Sequence, residues 1–96
     1  MNNPFAHHQK QFEQIMKEAN VSKASLFGSY ARGDAKDNSD VDLLVRFTDK
    51  KSLFDIVAVE LQLSDLLNKK VDLVPEQQLN KRIKPYIQDD LRVIYG

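Results

Sequence analysis

Asp40 and Asp42 stand two residues apart in Asp40-Val41-Asp42-Leu43-Leu44-Val45-Arg46-Phe47, the segment with the clearest period-two alternation in the chain. The pattern predicts a strand with Val41, Leu43, Val45 and Phe47 on one wholly apolar face and Asp40, Asp42, Leu44 and Arg46 on the other. Both carboxylates then project from the same face, with Cα atoms on the order of 6–7 Å apart. Asp72 has the same context in Val71-Asp72-Leu73-Val74. If the two strands are neighbours, three carboxylates converge on one patch. Acids that close repel one another unless a proton or a cation sits among them. An all-oxygen donor set suits Mg²⁺, which takes one or two carboxylates and completes its octahedron with water and substrate phosphates. An isolated D-x-D pair, however, is more often a solvated stretch of strand than a site.

Gly28-Ser29, upstream of the acids, is the feature that changes this balance. It ends a short strand, Ala24-Ser25-Leu26-Phe27, and opens a brief helix over 30–33. Glycine at such a turn lets a phosphate approach the backbone closely, the amides that follow favour an anion, and the Ser29 hydroxyl can donate to a phosphate oxygen. Read alone, Ser29 caps a helix and Gly28 permits a turn. Arg32, one turn later, either meets a phosphate or is solvated. A phosphate cradle and a paired-acid metal site on adjacent elements are the two halves of a nucleoside-triphosphate site.

The elements that must hold these residues are legible in order. Phe12, Ile15, Met16 and Ala19 recur at helical spacing, which predicts an amphipathic helix over 5–19 that ends near Asn20. The polar stretch 34–39 reads as a loop. Leu53, Ile56, Val57, Leu63 and Leu67, with Ser52 as N-cap, predict the main helix over 52–68. Val71–Val74 is a third strand closed by Pro75. Leu79, Ile83 and Ile87 suggest a last helix that Pro85 begins, kinks or splits, and 91–95 offers a fourth strand. The expected fold is a mixed α/β (α+β) domain, with a sheet of three or four strands and helices packed on one face.

Gly28-Ser29-Tyr30-Ala31-Arg32-Gly33, five intervening residues, then Ser39-Asp40-Val41-Asp42-Leu43-Leu44-Val45, with the third acid Asp72, resembles the signature of the DNA polymerase β-like nucleotidyltransferase superfamily. The joint pattern is far more specific than either half, and the resemblance runs over nearly the whole chain. The nearest branch is the minimal nucleotidyltransferases, many of which are antitoxins encoded beside a HEPN-domain toxin. The resemblance implies a polymerase-β-like core and transfer of AMP from ATP to a hydroxyl, which in the antitoxin branch is a tyrosine of the HEPN ribonuclease. It assigns Asp40, Asp42 and Asp72 to catalysis and to two Mg²⁺ ions, roughly 3.5–4 Å apart as in other two-metal sites. It assigns Gly28, Ser29, Arg32 and Ser39 to the nucleotide. Two alternatives stay open: a non-catalytic module that neutralises its partner by occlusion, and an enzyme acting on a small molecule or RNA with a helper subunit.

Composition narrows the field further. The 96 residues suffice for a single domain over 1–96, and the length leaves little room for a separate acceptor-binding domain. Fourteen Lys and Arg balance 14 Asp and Glu, and each half of the chain is neutral, so no basic arm exists to bind nucleic acid or an anionic membrane non-specifically. The absence of cysteine excludes disulfides, thiolate zinc sites and cysteine nucleophiles. The longest apolar run, Ile56–Val59, is far short of the roughly 20 residues of a membrane span, and no signal pattern opens the chain. The expected location is the cytoplasm. His7 and His8, adjacent on a helix, do not share a face and are read as a solvated N-terminus. The Lys81-Arg82-Lys84 cluster is read as a solvated face, and Tyr86 and Tyr95 as packing at the core edge.

Overall fold

The alternating segment around Asp42 forms an inner strand of a four-stranded sheet. In the computed structural model, which describes residues 3–78 and 91–96, the strands are β1 (Val21–Phe27), β2 (Val41–Phe47), β3 (Val71–Pro75) and β4 (Arg92–Tyr95), in the order β3-β2-β1-β4. β1 runs antiparallel to both β2 and β4, while β2 and β3 are parallel. A parallel pair needs a crossover, and helix α3 (Leu53–Leu67) supplies it. The apolar face predicted for β2 is the core: Val41, Leu43 and Val45 are fully buried and Phe47 nearly so. They pack with Leu26 of β1, Leu73 of β3, and Ile56, Val59 and Leu63 of α3. Leu44 and Ser25, paired across β2 and β1, are buried as well, so the opposite face of the sheet is not uniformly open.

The first helix is shorter than its periodicity predicts. A 3₁₀ turn, Ala6–His8, precedes α1 (Gln9–Glu18), and Asn20 takes the left-handed conformation (φ 58°) that stops it. Phe12 and Met16, four apart, are buried, and Phe5 stacks on Phe12 with ring centroids 4.4 Å apart. Tyr95 meets Phe12 edge-on, as its reading at the core edge requires. His7 is exposed and His8 half-buried in the 3₁₀ turn. The four-residue helix α2 (Ser29–Arg32) packs on β1 and β2 through Tyr30 and Ala31. The helix expected over Leu79–Ile87, with the Lys81-Arg82-Lys84 cluster and Tyr86, lies outside the described residues. No helix among the described residues is long and apolar enough to cross a membrane.

α3 begins as predicted. The Asp55 amide donates to Ser52 Oγ and the Ser52 amide to Asp55 Oδ2, each at 3.1 Å, a reciprocal cap. The Ser52 amide, bonded to the ionised carboxylate, and the Ser52 hydroxyl hold the Asp55 pKa below its ordinary value. The buried face differs from the prediction: Ile56, Val59 and Leu63 point inward, but Leu53 and Val57 are exposed, together with Phe54 and Leu61. Apolar spacing gives two candidate arcs on this helix, and the sheet covers only one.

β3 is an edge strand, yet its outer edge carries no free donor at three successive outward positions. The Val71 amide donates to Ser64 Oγ at 3.0 Å and the Leu73 amide to Glu60 Oε2 at 2.8 Å. Pro75, next on the same edge, has no amide hydrogen, which also explains why the strand tolerates it as a member and is not ended before it. Two α3 side chains and a proline thus close the sheet to further strands on this side. Replacing Ser64 by Ala strips a partner from a part-buried amide and should lower the unfolding free energy by about 1–3 kcal/mol in urea denaturation. An unchanged midpoint would show that water replaces the hydroxyl at no cost.

Candidate active site

The register of the sheet decides where the acids meet. Asp42 pairs with Asp72 across the parallel β2–β3 ladder and with Phe27 across β1, so the last residue of β1 lies beside the acid pair. Gly28 follows directly. Its backbone (φ 71°, ψ −147°) is in a region that only glycine occupies comfortably. A Cβ placed there would come within 2.5 Å of Asp42 Oδ2. Glycine is therefore required twice at this position, by the turn and by the closeness of the carboxylate.

Asp42 is half-buried, and burial is the largest reason why its pKa is raised above the ordinary 3.8. The charges of Asp72 and then Asp40 raise it further, while Arg32 and Lys70 act in the opposite direction without reversing the shift. Lys70 Nζ lies 3.9 Å from Asp72 Oδ1 at an exposed position. Asp40 is exposed and precedes the first residue of β2, so strict strand alternation applies to Asp42 but does not reach Asp40. Its charge is nevertheless felt at Asp42. Among the described residues no three His, Cys, Asp or Glu side chains are already gathered to hold a metal ion. The sheet brings the acids to one end; it does not close them into a cage.

The remaining predicted residues surround this end of the sheet. Ser29 opens α2, and its hydroxyl has no hydrogen-bond partner among the described residues. The first-turn amides of such a helix have no intrahelical acceptor. Arg32, in the last turn of α2, is half-exposed and bonds Asp34 Oδ2 through Nε at 3.3 Å. Ser39 accepts from the Lys36 amide at 2.8 Å and donates its own amide to the Lys36 carbonyl, closing the turn that delivers the chain to Asp40. Tyr30, between Ser29 and Arg32, is buried in the core.

Three basic residues that sequence reasoning passed over hold this frame together. Lys69 Nζ donates to the Asp37 carbonyl at 2.7 Å and lies 5.9 Å from the Tyr30 ring centroid, joining the start of β3 to the loop before Asp40. Lys70 supplies the countercharge at Asp72 and, through its carbonyl, accepts the Val41 amide at 2.9 Å. Arg92 of β4 donates to the Ala31 carbonyl in α2. The Lys69-Lys70 pair directly before an acid-bearing strand was the available signal; Arg92 left none.

A mixed sheet with an acid pair on parallel strands and a glycine turn against it is the framework of a nucleotidyltransferase, and comparison with known proteins agrees. Residues 10–96 match the family model described as polymerase beta, nucleotidyltransferase, and the chain belongs to that family. It is 39% identical over 71 residues to the protein adenylyltransferase MntA of Thermococcus cleftensis, covering 74% of this chain and 72% of that one. The fold resembles that of a toxin–antitoxin crystal structure with AMP-PNP, with a TM-score of 0.80 at 21% identity, covering 92% of this chain and 73% of the other. It also resembles a chain of the complex between a tri-AMPylated HEPN toxin and an MNT antitoxin from Shewanella oneidensis. There the TM-score is 0.72 at 17% identity, covering 94% of this chain and 71% of that one.

Two expectations follow. Gly28→Ala should displace the Asp42 carboxylate and lower any Mg²⁺-dependent ATP turnover at least about tenfold, since a small misplacement in a reacting site costs that much or more; turnover within twofold of wild type would contradict the close approach. Asp42→Asn should stabilise the metal-free fold. An acid whose pKa is raised on folding favours the folded state most at low pH, and that contribution is lost as pH rises from its unfolded to its folded value. Thermal melts in EDTA should therefore show the variant melting higher than wild type at pH 7, with the gap closing below about pH 4. A variant that melts lower at pH 7 would instead give Asp42 a structural role.

Proposed function

We propose that this chain transfers AMP from ATP to a tyrosine hydroxyl of a HEPN-type ribonuclease toxin and thereby acts as its antitoxin. The observation that carries this reading is the in-register Asp42–Asp72 pair beside the Gly28 turn. The name of the Thermococcus cleftensis relative and the AMPylated toxin in the Shewanella oneidensis complex support the acceptor class, and AMP-PNP in a structure of like fold supports the nucleotide.

The residues fit Mg²⁺. Asp40, Asp42 and Asp72 are hard oxygen donors, and the repulsion from Asp72 and Asp40 that adds to burial in raising the Asp42 pKa is the kind a divalent cation relieves. These three would hold it, and when bound it would neutralise triphosphate charge and polarise the reacting oxygens. The rest falls to the chain itself. Gly28 leaves room for the outer phosphates against the backbone, and Ser29 donates its free hydroxyl to a phosphate oxygen. Ser39 fixes the turn from which Asp40 is presented. Asp72 accepts the proton of the acceptor hydroxyl, whose oxygen forms a bond to the α-phosphorus. The bond from the α-phosphorus to the bridging oxygen breaks, and pyrophosphate leaves with the electron pair. Arg32, already able to pair with an oxyanion as it does with Asp34, meets that leaving charge.

The test is intact-mass spectrometry of the HEPN partner after incubation with the chain, ATP and Mg²⁺. The partner should gain whole AMP units with the wild type and none with Asp40→Asn/Asp42→Asn, while the circular dichroism of the variant stays native. A partner that is silenced at unchanged mass would replace this reading with neutralisation by occlusion.

A further inference from the structure

Of the three acids, Asp40 has the least to hold it in place. Asp42 and Asp72 lie on paired strands, whereas Asp40 precedes β2 and is exposed. Its carboxylate has no hydrogen-bond partner among the described residues. Its position is set by the chain on either side. Downstream, the Val41 amide donates to the Lys70 carbonyl at 2.9 Å. Upstream, the Lys36–Ser39 bonds close a turn but stay inside the loop. Among the described residues, one hydrogen bond ties residues 35–39 to another element: Lys69 Nζ donates to the Asp37 carbonyl at 2.7 Å.

Packing does little to replace that bond. Ala35 reaches the core edge, but behind the loop lies a cavity of about 290 Å³ with Tyr30, Lys36, Asp37, Leu67 and Lys69 on its walls. Lys69 is itself well anchored. Asn68 takes the left-handed conformation (φ 53°) that ends α3, and the Lys69 amide donates to the Ser64 carbonyl at 3.2 Å. The Lys69 ammonium lies 5.9 Å from the centroid of the buried Tyr30 ring. Consecutive lysines thus fix Asp37 and Val41, on either side of Asp40, one by its side chain and the other by its backbone.

We propose that Lys69 is a positioning residue: its bond to the Asp37 carbonyl holds the loop so that Asp40 stays with Asp42 and Asp72 when a divalent cation binds. This role rests on the metal reading above. Removing a group that orients a metal ligand costs about tenfold or more in metal affinity. The role is mechanical, and the sign of the charge effect separates it from electrostatics. Loss of a positive charge from this end of the sheet, taken alone, favours Mg²⁺ binding. Lys70, with its ammonium 3.9 Å from Asp72 Oδ1, supplies that comparison.

Amide NMR of the full chain, without and with Mg²⁺ as the only added ligand, tests the proposal. Lys69→Met keeps the aliphatic stem and loses the donor. Without metal, residues 37–40 of this variant should show lower order parameters than in the wild type, with Leu43 and Leu73 unchanged. Its Mg²⁺ dissociation constant, read from the Asp40 and Asp42 amide shifts, should rise about tenfold. Lys69→Arg, which keeps a charged donor, should stay within about threefold of wild type. Lys70→Met should bind Mg²⁺ at least as tightly as the wild type. A Lys69→Met variant with wild-type loop order or wild-type Mg²⁺ affinity, loosening that spreads to Leu43 and Leu73, or an equal loss in Lys70→Met would each overturn the positioning role. Wild-type Asp40 and Asp42 shifts that ignore Mg²⁺ would instead strike the metal reading, and this role with it.

Discussion

Two parallel strands in register hold Asp42 and Asp72 side by side, and the surrounding structure serves to keep like charges where they would not stay by themselves. The core face of β2 fixes the register: a slip by one residue would turn Val41, Leu43 and Val45 outward and bring the aspartate into the core. Because burying those side chains outweighs the repulsion, the acid pair is locked in place, and Asp42, itself half-buried and beside Asp72, holds its proton more tightly than a free aspartate. The crossover helix α3 makes the parallel pairing possible, and its Ser64 and Glu60 side chains secure β3 from the outer side.

The same crowding explains the order of the glycine turn. Gly28 passes so close to the Asp42 carboxylate that no side chain fits between them. A phosphate could approach this backbone without meeting a Cβ, and the acids would lie within reach of it. Lys69, Lys70 and Arg92 act around the rim: two of them tie loop and helix carbonyls to the strands, and the third offsets part of the charge at Asp72. The basic groups Arg32 and Lys70 lower the Asp42 pKa without reversing the rise that burial and the neighbouring acids cause.

Much of this was legible in the residues. Period-two alternation located β2 and its buried face, Ser52 located the start of α3, and Gly28-Ser29 located the strand-to-helix turn. The apolar residues of α3 misled in part, because helical periodicity ranks an exposed arc of Leu53, Val57 and Leu61 no lower than the buried one; only the position of the sheet separates them. Asp40 was read as a strand residue, yet the strand starts one residue later, where ladder hydrogen bonds begin. The parallel pairing of Asp42 with Asp72 and the reach of Arg92 to Ala31 are long-range contacts, which local spacing does not encode.

The central claim is that burial, together with the neighbouring carboxylates of Asp72 and Asp40, raises the Asp42 pKa, and that a divalent cation held by these acids would reverse the shift. Carbon-detected NMR titration of the side-chain carboxyls, without and with Mg²⁺, measures it directly. Metal-free, Asp42 should titrate above 3.8, and saturating Mg²⁺ should bring its midpoint below that value. An Asp42 that titrates at or below 3.8 without metal, or that ignores Mg²⁺, would contradict the account.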